Sequence, residues 1–257
     1  MKINLSLLLE LSKRDFLERY SGSIFGMWWS FIWPLVNILI YTLIFSKVMS
    51  AKIPGLPSTY SYGLYLASGI IPWMAFSNTV SRSANIFIEK KHIITKIPIQ
   101  LPIFPISVAI SESITFLIGF SILILFLIIL NIKPTVYSLL VPFTYIFQQL
   151  LAISLGLIFA ILNVFIRDIR ELVNIFLQIW FWFTPIVYTV DILPNSIKNL
   201  VEINPIYAFI QVYQKAFIIK EEINFKVLII YSIISVIFAA LSYILYKKLS
   251  KDIKDFL

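Results

Sequence analysis

The stretch Arg14-Asp15-Phe16-Leu17-Glu18-Arg19-Tyr20-Ser21-Gly22-Ser23-Ile24-Phe25-Gly26-Met27-Trp28-Trp29 joins two elements of different character with no loop between them. Before it, residues 4–20 are charged and compatible with a helix; after it, an apolar span studded with Trp begins near Met27. At about 100° per residue, Leu5, Leu9, Phe16 and Tyr20 fall within a sector of about 60°, with Leu8 flanking. Glu10/Arg14 and Asp15/Arg19 are spaced i,i+4 with the acid first, the order that supports an exposed helical face. Together these features predict a helix lying on a membrane, followed by one that crosses it. The change of direction falls at Ser21-Gly22-Ser23, where small residues let the chain bend.

The rest of the chain is consistent with a membrane protein. Of its 257 residues 60% are hydrophobic and 13% charged, and the mean hydropathy is +0.91. Soluble domains carry about 25% charged residues. Six apolar segments approach the roughly 20 helical residues that a hydrocarbon core requires. They are 27–48, 62–83, 103–130, 139–166, 172–190 and 227–246. With the N-terminus in the cytoplasm, fourteen Lys and Arg residues fall inside and seven outside, and every Arg is inside. That bias predicts cytoplasmic termini. The net charge of +8 is therefore a topology signal rather than a nucleic-acid surface. The charged start, with no apolar h-region, predicts that there is no cleaved leader.

Composition also excludes several chemistries. There is no Cys and one His, His92, so thiol catalysis, disulfides, a Ser-His triad and a Cys/His metal site find no support. No Gly-Lys-Ser or Gly-Lys-Thr occurs, so the chain does not cradle ATP in a Walker A loop. Glu112 is the only acid well inside a predicted span, which argues against proton-coupled transport and against an intramembrane enzyme with paired carboxylates.

Two connections are unusual. Residues 86–105 carry Glu89-Lys90-Lys91-His92-Ile93-Ile94-Thr95-Lys96, then Pro98, Pro102 and Pro105; a short helix here would put Ile93, Ile94 and Ile97 on one apolar face. A solvated loop with snorkelling lysines is the alternative. Residues 191–226, outside by topology, are too apolar for an exposed loop and too interrupted for a span. Short re-entrant helices would explain them if protein or water satisfies their backbone groups.

Several segments, in order, resemble one family. They are Arg14-Asp15, Arg19-Tyr20, Gly22-Ser23, Gly26, Trp29 and Pro34; then Asn85, Ile93-Ile94, Lys96-Ile97-Pro98 and Leu101-Pro102; then Phe165-Ile166-Arg167-Asp168-Ile169, Thr184-Pro185-Ile186-Val187-Tyr188, Pro194 and Asn204-Pro205. The chain resembles the permease subunits of ABC transporters that export polysaccharides, including O-antigen (Wzm-type), capsule and teichoic acid permeases. The likeness covers nearly the whole sequence. One departure is visible: where family members often carry an Arg after Asn-Pro, Tyr213 is followed by Gln214-Lys215.

The resemblance implies an all-α polytopic protein: an interfacial helix over 1–22, then a six-helix permease domain over 23–257, with a coupling segment at 86–102 and re-entrant helices at 191–226. It implies a homodimer with two ABC ATPase subunits that hold the ATP and Mg, and no cofactor or metal on this chain. The substrate would be an undecaprenyl-pyrophosphate-linked polysaccharide, and the location the bacterial inner membrane. Glu89, Lys90, His92, Ile93, Ile94 and Lys96 would dock in the ATPase. Arg14, Arg19 and Arg82 are candidates for the lipid head group, because Arg suits bidentate phosphate contacts; positive-inside charges and local ion pairs are the alternative. Trp28, Trp29, Trp33, Glu112, Phe181, Trp182 and Tyr188 are candidates to line the channel, since sugar C–H faces stack on aromatic rings. Interfacial aromatic belts explain Trp and Tyr near span ends equally well, and Glu112 could instead pair with a basic residue. Asn204, Pro205, Tyr207 and Tyr213 are candidates for an outer gate. Ser21–Gly26 is expected to act as a substrate-side hinge. Export of teichoic acid, a drug or another lipid by the same fold remains the alternative, with an intramembrane enzyme or a passive channel further off.

Overall fold

The structure is a computed structural model that describes residues 5–41, 43–44 and 61–257. The outer end of the first predicted span (45–48), together with Lys47 and Lys52, lies outside the described residues, as does the start of the predicted interfacial segment (1–4). Among the described residues the chain is helical throughout, with no strand. The elements are α1 (Leu5–Glu18), α2 (Trp29–Tyr41), α3 (Ser61–Glu89), α4 (Lys91–Ile94), α5 (Ile103–Ile129), α6 (Val141–Phe165), α7 (Ile169–Trp182), α8 (Asn195–Glu202), α9 (Pro205–Gln214) and α10 (Phe225–Phe256).

Among the described residues, three segments are long and apolar enough to cross a membrane: Ile103–Ile129, Val136–Phe165 and Phe225–Phe256. At about 1.5 Å per residue, 27 residues reach about 40 Å, more than a hydrocarbon core of about 30 Å. Their outward faces are apolar, as lipid requires: Leu117, Leu125 and Ile128 on α5, and Ile229, Ile233, Ile237 and Ile244 on α10, are all exposed. Of the other predicted spans, 27–48 corresponds to the shorter apolar helix Gly26–Ile40. The span predicted over 172–190 is helical only to Trp182, because Thr184-Pro185 turns the chain and Pro185 has no N–H to continue the ladder.

α3 is the central element. Every residue from Tyr62 to Trp73 is buried, and the helix packs against α2, α5, α6, α7 and α9. It meets α6 at Gly156, where a Cβ would lie 2.5 Å from the Ser83 Cβ. Only a residue without a side chain permits that approach.

A second apolar cluster marks one end of the bundle. Leu8 of α1, Phe87 of α3, Ile94 of α4, Phe104 of α5, Ile161 of α6 and Ile253 and Leu257 of the C-terminal helix are buried together there. α1 and the end of α10 thus share one end of the molecule with the 86–105 connection.

The junction bends where the small residues stand. α1 ends at Glu18, Gly22 has φ +80° and Gly26 φ +47°, and a single 3-10 turn, Gly26–Trp28, leads into α2. The side of α1 that packs on α5 overlaps the predicted stripe only at Phe16 and the flanking Leu8. Leu8, Ser12, Asp15 and Phe16 are buried, whereas Leu5 and Leu9 are exposed. Asp15 and Arg19 therefore do not form the exposed pair that their spacing predicts. On the outer face Arg14 pairs with Glu18, at 2.5 Å, rather than with Glu10.

Candidate functional site

Four charges meet where α1, α3 and α5 come together. Glu112, 1% exposed, accepts from Arg19 Nη2 at 2.6 Å and from Arg82 Nη1 at 2.7 Å through the same oxygen, Oε1. Its other oxygen, Oε2, accepts from Asn78 Nδ2 at 3.3 Å. Arg82 Nη2 donates to both oxygens of Asp15, at 2.7 and 2.8 Å. Arg19 also reaches Ser111 and Thr115, each at 3.2 Å. Two cations and two anions balance, so carboxylates that would be prohibitive alone in a membrane interior are tolerated. Glu112 is thus paired with basic residues, one of the two roles its sequence position allowed. Arg82 and Arg19 spend most of their hydrogen-bonding capacity inside the protein.

Beside this cluster a cavity of about 570 Å³ opens between α2, α3 and α5. Arg19, Tyr20, Trp29, Trp33, Asn78 and Thr115 face it. Among the described residues, the Arg19 Nε is buried without a hydrogen-bond partner. Of the three head-group candidates only Arg19 borders the cavity: Arg14 is on the exposed side of α1, and Arg82 is held by Asp15 and Glu112. Among the Trp candidates, Trp29 and Trp33 face the cavity, while Trp28 is exposed outside it.

Sequence inspection missed a polar stripe on α3. Between Met74 and Glu89 the residues not fully buried are Met74, Ser77, Asn78, Ser81, Arg82, Asn85, Ile88 and Glu89. They recur every three or four positions and so share one face. A lipid-facing helix would show the reverse pattern, apolar outside and polar inside. The stripe is extended by α7, where Asn174 accepts from Ser81 at 2.6 Å and Gln178 is exposed. It is also tied to α6, since Asn163 donates to Asn85 Oδ1 at 3.3 Å. The signal was present in the sequence as Ser77-Asn78, Ser81-Arg82 and Asn85 at helical spacing, hidden by the apolar residues between them.

At the far end of α3, the Thr184–Tyr188 and Asn204-Pro205 motifs hold each other. Asn204 Oδ1 caps α9 by accepting from Ile206 N at 3.1 Å, and also accepts from Trp180 Nε1 at 2.9 Å. Its Nδ2 donates to Thr184 Oγ1 at 2.9 Å. Gln214 Nε2 donates to the Pro185 carbonyl at 3.0 Å, Tyr65 to that of Tyr188 at 3.0 Å, and Tyr62 to that of Val187. Among the outer-gate candidates, Asn204 is this staple, with Pro205 at the first turn of α9. Tyr213 is fully buried with its hydroxyl on Gln148 Oε1 at 3.2 Å, and Tyr207 faces a polar pocket. Of the deeper channel candidates, Phe181 packs against Trp73, Trp182 is exposed, and Tyr188 donates to the Trp182 carbonyl at 2.8 Å.

The 86–105 connection does contain a helix, the single turn α4, but its isoleucines do not share a face. Ile94 is buried in the end cluster, Ile93 is half-buried and Ile97 is exposed. Glu89, His92 and Lys96 are exposed around them. Lys90, half-buried, donates to Glu18 Oε2 at 3.0 Å and so links this corner to α1. The Arg14 hydrogen bond, and then that of Lys90, hold the Glu18 carboxyl below its ordinary value.

Three long apolar helices describe a membrane protein, and the helix at its centre, α3, carries a partly exposed polar stripe. Residues 6–218 match the ABC-2 type transporter family. An O-antigen export system permease protein RfbA from Klebsiella pneumoniae is 31% identical over 222 residues, 84% of this chain and 83% of that one. A second from the same organism is 28% identical over 254 residues, 97% of this chain and 95% of its own length. One from Myxococcus xanthus is 28% identical over 213 residues, 82% of this chain and 80% of its own length. Matched over most of its length by the family and by each of these relatives, the chain belongs to the ABC-2 type transporter family.

Proposed function

We propose that this chain is the membrane-spanning subunit of an ATP-driven exporter that moves a lipid-linked polysaccharide across the bacterial inner membrane. The observation that carries it is the polar stripe on α3 in a chain whose relatives are named O-antigen export permeases. A glycan needs hydroxyl-compatible groups along its route through the bilayer, and Ser77, Asn78, Ser81 and Asn85 supply a row of about 12 Å at about 1.5 Å per residue.

One copy leaves the stripe open on its side. A second copy related by a two-fold axis would face it with the same surface and close a pathway between them. The homodimer would span with α2, α3, α5, α6, α10 and α7 completed by the Thr184–Tyr188 turn, giving six spans per copy. α8 and α9 would be the re-entrant helices. The positive-inside bias supports cytoplasmic termini.

Energy comes from two separate ATPase subunits that hold the ATP and Mg. Glu89, His92, Lys96 and Ile97 form the exposed surface for docking, with Ile93 at its margin and Ile94 anchoring it from within. Lys90 and Glu18 carry movement of that corner to α1. The substrate's pyrophosphate arrives at the cavity beside Arg19, competing with Glu112 for the guanidinium, and the sugars follow over Trp29 and Trp33. The test is reconstitution with the ATPase partner in liposomes. ATP hydrolysis rises several-fold with undecaprenyl-pyrophosphate-linked polysaccharide; a rise of the same size with the lipid pyrophosphate alone, or none, overturns the reading.

A further inference from the structure

At the end of α3 opposite the charge cluster lies a pocket of about 390 Å³, within the range of about 300–1,000 Å³ typical of small-molecule sites. Tyr65, which lines it, is 17 residues from Arg82 along the helix, about 26 Å at 1.5 Å per residue. The pocket's walls come from the Thr189–Asp191 segment, α8, α9 and the chain leading into α10.

The lining differs from that of the cavity beside Arg19. Here the walls present the carboxylates Asp191, Glu202 and Glu221, the Gln211 amide, the Tyr207 ring and one ammonium, Lys215. The floor includes Gln214, 2% exposed and pinned to the Pro185 carbonyl, so polar groups extend to the bottom of the pocket. Lys215 is already engaged, 3.5 Å from Glu221 Oε2 and donating to the Glu222 carbonyl at 3.1 Å. Among the described residues neither Asp191 nor Glu202 has an ion-pair partner, and no group of acids or His is arranged to hold a metal ion.

We propose that this pocket binds an uncharged sugar unit of the exported glycan as it leaves the pathway. The inference rests on the polysaccharide reading above and deepens it by selecting neutral over acidic glycans. A hexose offers adjacent hydroxyls that donate to carboxylates, both donate to and accept from an amide, and a C–H face that packs on an aromatic ring. Carboxylates at the rim accept hydroxyl hydrogens well, and they repel uronates and phosphodiesters. A small, partly open pocket that grips one or two units also suits a polymer that must keep moving.

The experiment uses the full chain assembled with its ATPase in nanodiscs, probed by saturation-transfer NMR with a neutral trihexose and with a trihexuronate. Wild type transfers saturation to the trihexose and not to the trihexuronate. Gln211→Leu weakens the trihexose signal several-fold, and the double variant Asp191→Asn/Glu202→Gln weakens it too while admitting the trihexuronate. Both acids are exposed, so the double variant keeps the fold, checked by an unchanged melting temperature. Equal signals from both sugars in wild type, no trihexose signal, or a trihexose signal untouched by either variant overturns the proposal. The same samples report ATP hydrolysis with the lipid-linked polysaccharide. A polysaccharide response without saccharide binding removes this inference alone; the converse removes the export reading and leaves the pocket a sugar site.

Discussion

Arg82 of α3 and Glu112 of α5 are joined at 2.7 Å, and the same guanidinium grips Asp15 of α1 at 2.7 Å. One side chain of α3 thus ties α1 to α5. Removing one partner of a buried pair costs about 3–5 kcal/mol, because the other charge is left stranded. Glu112→Ala, which strands part of two guanidinium groups, is expected to destabilise the protein by about 3 kcal/mol. Glu112→Gln keeps acceptors for Arg19 and Arg82 and should lose less. Thermal unfolding of the two variants in detergent checks the order.

Asn204 makes four hydrogen bonds, one capping α9 at Ile206 N and three reaching Trp180, Phe183 and Thr184 at the end of α7. Loss of a helix N-cap costs about 1 kcal/mol, and the stranded Trp180 N–H adds about 1 kcal/mol or more. Asn204→Asp keeps the acceptor that caps the helix but sets a charged oxygen, in place of the amide donor, against the Phe183 carbonyl and Thr184 Oγ1, so it should not rescue the loss seen in Asn204→Ala. Tryptophan fluorescence during denaturation reports both.

Gly156 lets α6 touch α3. A valine there would drive its Cβ to within 2.5 Å of Ser83 Cβ, an overpacking that costs about 1–3 kcal/mol. Ser83→Gly in the same chain removes the atom struck and should restore much of the loss, whereas Ser83→Ala should not. Melting temperatures of the single and double variants decide.

The Glu18 carboxyl, held low by Arg14 and Lys90, has a pH signature. A lowered carboxylate contributes above its unfolded pKa, and the contribution is lost as pH falls through the folded value. Because Glu18 is 43% exposed, solvent screening keeps the effect modest. Protection of residues 14–20 against hydrogen exchange, relative to the unfolded chain at the same pH, should therefore be level near neutrality and fall below the ordinary carboxylate range. Lys90→Met should raise the exchange at neutral pH.

Much of this was legible in the sequence because hydrophobic length and periodicity act locally. The long helices α5, α6 and α10, the bend at Ser21–Gly22 and the N-terminal helix α1 are all written in consecutive residues. What was not legible depends on partners far along the chain. Asp15 and Arg19 stand four apart and imply a pair, yet their charges go to residues 67 and 93 positions away. Ile94 and Ile97 look alike in an apolar run, and only the cluster assembled from α1, α3, α5, α6 and α10 buries the first and leaves the second out. The stripe of Ser77, Asn78, Ser81 and Asn85 was present as spacing, but burial of the intervening face by α5, α6 and α9 was needed to show it as the open side.

The central claim is that this stripe faces a polar pathway rather than lipid. The chain has no cysteine, so single cysteines report without background. Ser77→Cys, Ser81→Cys and Ile237→Cys, the last on the exposed apolar face of α10, would be placed in the transporter assembled with its ATPase in liposomes. Each would then be treated with a charged, water-soluble thiol reagent. Fast labelling at 77 and 81 during ATP hydrolysis, with position 237 unreactive, is the result this account predicts. Labelling at 77 and 81 as slow as at 237, in a transporter that hydrolyses ATP normally, would contradict it.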